Sequence, residues 1–165
     1  MKLFALAMAL AIVFPIEPSA SDGGFSYPEE LKPVIEFLDR ETWIHPLIGE
    51  PFGPWLRKYT LKIVLDPTIP PAYRAVADHA THVIYWRPDM PNEVNIPIAA
   101  KAAIIVHEGR HLQGYRHSCA GKDGYDTSDE TMEEGGAVAV HVIFLEHFGL
   151  RNWVEYFKQY VGCGR

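Results

Sequence analysis

The chain has 165 residues, 48% of them hydrophobic, and 15 Lys and Arg against 21 Asp and Glu give a net charge of -6. That length and composition support one domain around a single core. No Lys/Arg-rich run or basic stripe with interleaved aromatics occurs, so an electrostatic footprint for nucleic acid is excluded.

The N-terminus has the pattern of a secretory signal peptide. Lys2 supplies the positive start, 3–14 is an uncharged apolar run, Pro15 breaks it, and Pro18-Ser19-Ala20 offers a small-residue cleavage site before Ser21. The run is shorter than the ~20 apolar residues a membrane span needs, and no lipidation Cys follows it. The expectation is a signal peptide at 1–20, a single mature domain at 21–165, export to the periplasm or the medium, and no stable membrane anchor after cleavage. Cleavage removes Lys2 and Glu17, so the mature charge is unchanged. The only cysteines, Cys119 and Cys163, fall in the mature part. In an oxidising compartment they can pair, which would stabilise the fold by about 4 kcal/mol in the chain-entropy model. Two buried thiols, or Cys119 as a metal ligand, are the alternatives.

Residues 21–28 form a loose start. In 29–40, Leu31, Val34, Ile35 and Leu38 fall at helical spacing behind the acidic Glu29 and Glu30. Three prolines and two glycines make 45–54 a connector. Alternation over 59–65 reads as a half-buried strand. A short helical turn is expected over 73–80, and a β-branched and aromatic strand over 82–86. The strongest helix runs over 98–115, with Gly114 placed to end it, and a loop follows over 116–128. The next helix is expected over 129–147, opened by a capping box of Thr127 and Glu130 and closed by Gly149. Its middle is apolar nearly all round and should lie in the core. A last short helix covers 152–160.

The chemistry concentrates on the strongest helix, where His107-Glu108-Gly109-Arg110-His111 reads H-E-x-x-H. Residues four apart share a helix face, so two imidazoles can reach one zinc ion at about 2.0–2.1 Å each. Glu108, beside the first ligand, can take a proton from a metal-activated water and pass it to a leaving amine. The uncharged residues Ala102, Ala103, Ile104, Ile105 and Val106 suit a buried active-site helix rather than a solvated one.

The pattern continues through Gly114 and His117, giving H-E-x-x-H-x-x-G-x-x-H in full. From the Gly and His frequencies of this chain the two further matches arise by chance in roughly 0.4% of cases. On these residues the chain resembles the zincin metallopeptidases, with a metzincin-type motif. The resemblance covers 107–117 closely. It implies a small α+β zincin-like fold with a short sheet, an active-site helix and a packed C-terminal helix. It also implies Zn²⁺ as cofactor, peptide or protein substrates, and an edge strand beside the active-site helix that holds extended substrate, the role expected of 82–86. Glycine is wanted at 114 because the chain must leave the helix sharply, often with positive φ.

The third ligand has two candidates. The extended motif favours His117. Glu134-Gly135-Gly136-Ala137 resembles the stretch of gluzincins in which a Glu on a second helix completes a His₂Glu site, which makes Glu134 the alternative. If both bind, the coordination sphere closes and the site is structural rather than catalytic. Metzincins also carry a Met-turn, and the downstream methionine here, Met132, falls in the first turns of the expected helix. Tyr115 and Tyr125 are candidate oxyanion donors. Arg110 and Arg116 could bind a substrate carboxylate, with solvent exposure as the ordinary expectation. His141 and His147 read as core or surface histidines. Asp123, Asp126 and Asp129 miss the calcium-loop spacing. Beside the metallopeptidase stand a zinc protein with a closed structural site and a metal-free binding domain.

Overall fold

The structure is a computed structural model that describes residues 24–115 and 135–158. The segment 1–20 expected to be a signal peptide, His117, Cys119, Tyr125, Met132, Glu134 and Cys163 lie outside the described residues, as do Arg116 and the three aspartates at 123, 126 and 129.

A 3-10 turn at Glu29–Leu31 leads into α1, Lys32–Arg40, which buries Val34, Ile35 and Leu38 as the spacing requires. Pro33 sits in its first turn, where no intrahelical N–H bond is needed. The segment expected to be a connector and then a strand holds a helix instead: α2 spans Phe52–Tyr59, and the strand β1 is confined to Lys62–Leu65. The prolines explain why the sequence misleads. Pro51 precedes the helix and accepts from the Trp55 N–H through its carbonyl at 3.1 Å, and Pro54 falls in the first turn, where its missing N–H costs nothing. Helical spacing buries Phe52, Trp55 and Leu56, whereas Leu61, which alternation would put inside, is 49% exposed.

The segment 73–80, expected as a helical turn, is a strand, β2 at Ala75–Asp78; β3 follows at Val83–Trp86, as expected. Pairing with β3 overrides the local preference of this Ala-rich segment. The strand order is β1-β3-β2, with β3 parallel to β1 and antiparallel to β2. Thus 82–86 supplies the central strand, not the edge, because both neighbours pair with it; the strand at the edge beside the long helix is β2. The β2–β3 turn is held by Asp78, which accepts from the Ala80 N–H at 2.9 Å and the Thr81 hydroxyl at 2.6 Å.

The long helix α3, Ile98–Leu112, packs on α4, α1 and β2 and is buried along almost its whole length. Its Ala- and Ile-rich surface has no wholly polar side, which suits a helix inside the core. The following helix, α4, begins only at Ala137 and ends at His147. Gly135 has φ +64° and Gly136 is extended, so neither continues a helix. Gly149, at φ +69°, closes α4 as expected: its N–H bonds Glu146 O, and the Leu150 N–H reaches back to Leu145 O. The last helix, α5, is Arg151–Lys158. Together these make a small α+β fold, and no helix among the described residues is long and apolar enough to cross a membrane.

The loop between α1 and α2 is stapled to α4 by aromatic groups. Trp43 stacks on His147 with centroids 3.8 Å apart and planes 3° from parallel. His45 is fully buried; its Nε2–H donates to Val140 O at 3.1 Å, and its Nδ1 accepts from the Leu47 N–H at 3.1 Å. Burial pushes the His45 imidazole down to about 4. Since the unfolded chain protonates this group near its ordinary value and the folded chain only near pH 4, the unfolded state binds more protons between them, and stability falls as pH drops through that window. Urea unfolding of the protein at pH 4.5 should therefore give a lower stability than at pH 7, by about 1–3 kcal/mol from this group. His45→Gln should flatten the pH dependence; an unchanged slope would exclude His45 as its source.

Candidate metal centre

The turn of α3 that carries the histidines is set by a close approach on its other side. A Cβ on Gly109 would lie 2.8 and 2.9 Å from atoms of the Trp55 indole, which is itself fully buried. Glycine at 109 lets α2 and α3 meet at this point. The neighbouring positions are thereby aimed elsewhere: His107 and His111 along one face, Glu108 toward β2, Arg110 toward the start of α4.

The two histidines converge. His107 Nε2 and His111 Nε2 are 3.2 Å apart, with the rings near perpendicular at 85°. Two nitrogens bound tetrahedrally to one zinc at ~2.05 Å would sit about 3.3 Å apart, so the separation suits a shared ion. The tautomer of His111 also suits it. Nδ1 lies 2.7 Å from Tyr115 O, a carbonyl that can only accept, so Nδ1 carries the proton and Nε2 presents a lone pair. Without a metal, His107 Nε2–H is then the donor across the 3.2 Å contact.

Tyr115 reaches His111 because the helix ends in a left-handed turn. Gly114 has φ +103°; its N–H bonds His111 O at 2.8 Å, and the Tyr115 N–H returns to Arg110 O at 3.3 Å. The role expected of Gly114 in turning the chain is thus met.

Glu108 is 8% exposed and its carboxyl accepts from the Ala77 N–H on β2. Burial pushes the carboxyl up to about 8, with the Ala77 bond opposing. A cation held by the adjacent histidines would draw the value down again.

Arg110 departs from the expectation of a solvent-exposed charge: it is 4% exposed. Its Nε and Nη2 donate to Gly135 O at 3.0 and 2.7 Å, its Nη1 to Gln113 Oε1 at 2.5 Å, and its guanidinium lies 3.4 Å from the centre of the Tyr115 ring. His141, on α4, is buried edge-on to His107 with centroids 5.5 Å apart and packs on Phe157 at 3.8 Å. Burial pushes its imidazole down to about 3, so it stands beside the pair as a neutral ring. His147 is on the far end of α4, against Trp43.

The structure therefore brings His107 and His111 together and sets Glu108 beside them on the β2 side. Among the described residues no group of three or more His, Cys, Asp or Glu is placed to hold a metal ion. The candidates for a third position, His117 and Glu134, lie outside the described residues. The contributions of Ala77, Trp55 and the Tyr115 carbonyl are not legible in residue order. Backbone groups carry no sequence signal, and Trp55 sits in a segment whose prolines and glycines have the composition of a loop. His141 on an apolar helix has the pattern of any core histidine.

Replacing Gly109 with Ala forces the Trp55 ring or the helix to move, because the indole is enclosed. Overpacking of this kind costs about 1–3 kcal/mol. Thermal unfolding of Gly109→Ala should show that loss, and Trp55→Leu in the same chain should recover part of it. If Gly109→Ala unfolds like the parent protein, α2 and α3 do not meet at this point.

Comparison with protein-family models, with curated proteins and with solved structures finds no match.

Proposed function

We propose that the chain is an exported zinc-dependent hydrolase, most simply a metallopeptidase of zincin type, acting in the periplasm or outside the cell. The reading is carried by one observation: two imidazole nitrogens 3.2 Å apart, one of them fixed as an acceptor by its own Nδ1–H bond, on the helix turn that also holds a buried carboxyl. His107 and His111 would hold the ion, and His117, with Glu134 as the alternative, would complete the set. Zinc, when bound in such a site, supplies a polarised carbonyl and a water acidic near neutral pH.

The chain's own residues supply the rest. Glu108 accepts the proton of the attacking water as the new C–O bond forms and returns it to the amide nitrogen as the C–N bond breaks. Its burial limits competing bulk water, and the Ala77 N–H keeps the carboxyl oriented. An extended peptide would lie along the outer edge of β2, the edge strand beside α3, pairing with main-chain groups other than the Ala77 N–H that Glu108 uses. Val76 is 41% exposed on that strand.

Protein purified without chelators should contain about one zinc per chain by elemental analysis, and His107→Ala and His111→Ala should lose it. Glu108→Gln keeps an acceptor for the Ala77 N–H and should keep the metal while lowering kcat by about 10²–10⁴-fold. Of the two candidates for the third position, His117→Ala should lose more zinc affinity than Glu134→Ala. Protein that contains no zinc and neither binds nor responds to added zinc would sink the proposal. Full peptidase activity in zinc-loaded Glu108→Gln would sink the mechanism.

A further inference from the structure

The second wildcard of the motif is Arg110, and its surroundings give it a task. A buried guanidinium is costly unless its donors are met. Here the fork bridges the end of α3 and the approach to α4: Nε and Nη2 share the Gly135 carbonyl just before α4, while Nη1 bonds Oε1 of Gln113, which caps the C-terminus of α3. Gln113 is braced in turn, its Nε2 donating to the Tyr59 hydroxyl at the end of α2 at 3.3 Å. The flat face of the guanidinium carries the Tyr115 ring at 3.4 Å, a stacked cation–π contact. The same Tyr115 offers its carbonyl to His111 Nδ1 at 2.7 Å. The contacts thus run from Gly135, Gln113 and Tyr59 through Arg110 to Tyr115, and end on the imidazole.

We propose that Arg110 is a positioning residue: by holding Tyr115 it fixes His111 in the Nδ1–H tautomer with the Nε2 lone pair turned toward His107. The part concerning metal rests on the hydrolase reading above, whereas the part concerning the tautomer does not. Hydrogen bonds to the outer nitrogen of a ligating histidine typically change metal affinity by 10–100-fold. Gly114 makes this arrangement possible: a left-handed turn and the Tyr115 N–H bond to Arg110 O bring Tyr115 back over the helix end, and because Tyr115 is 40% exposed, the contact with Arg110 is the one among the described residues that steadies its ring. Lysine would keep the charge but supply neither the fork nor the flat face.

The test uses the full mature chain and three variants, Arg110→Met, Arg110→Lys and Tyr115→Ala. The last removes an exposed ring, leaves Arg110 in place, and covers the case in which the buried Arg110 variants fail to fold. Long-range ¹H–¹⁵N spectra of the metal-free proteins report the protonated nitrogen of His111. The parent should show Nδ1–H, and all folded variants should show a mixture of tautomers. Zinc affinity, measured by chelator competition, should fall about 10–100-fold in Arg110→Met and Arg110→Lys and in the same direction in Tyr115→Ala. Variants that lose thermal stability yet keep the Nδ1–H tautomer and parental zinc affinity would overturn the proposal, leaving Arg110 a purely structural group. If the parent protein binds no zinc, the hydrolase reading fails, and the tautomer of His111 in the variants still decides the role of Arg110.

Discussion

A helix at the centre of a core must satisfy every polar group it carries, and α3 carries several. Lys101, Glu108 and Arg110 are all buried on it, and His107 and His111 are partly so. A polar group taken out of water without a partner costs several kcal/mol on the severest reference scale, and a charge costs more. The partners come from the backbone of surrounding elements. Lys101 Nζ donates to Pro91 O at 2.7 Å, Glu108 accepts from Ala77 on β2, Arg110 donates to Gly135 before α4, and His111 donates to Tyr115 past the helix end. Lys101, Glu108, Arg110 and His111 are thus each tied to a different neighbour, and the placement of those neighbours follows.

This arrangement makes the site and the fold hard to separate. The sheet is small, and its edge strand is placed where it meets Glu108. The loop after α1 is drawn onto α4 by His45 and Trp43, with His45 bonded to Val140 one residue before His141. His141 in turn fills the space behind His107 as a neutral ring, kept neutral by burial. Hydrophobic packing sets how close the elements come, and the polar contacts of α3 set their register.

Much of this was legible from residue order. The apolar spacing of α1, the β-branched run of β3, the apolar middle of α4 and the extent of α3 all follow from side chains with an unambiguous period. The histidine pair was legible for the same reason, since a spacing of four on a helix leaves little freedom. The failures have a common cause. In α2 the prolines occupy places where a helix tolerates them, so composition pointed to a loop and only the burial of Phe52, Trp55 and Leu56 revealed the helix. In β2 the segment is too short and too Ala-rich to announce a strand, and pairing with β3 decided it. The exposure expected of Arg110 was the ordinary expectation for its residue type, overturned by an acceptor 25 positions away in sequence.

The contact of Gly109 with Trp55 bears on how such a motif could be moved between proteins. Written as a pattern, H-E-x-x-H leaves two positions open. In this chain neither is open: one must lack a side chain to admit an indole, and the other must span a gap to a carbonyl just before the next helix. Grafting the five residues onto another helical scaffold would carry over the ligands without the notch and the acceptor that orient them. A designer starting from this protein would need to transplant a piece of three helices, with Trp55 and Gly135 as its corners, before the histidines could be relied on to face one another.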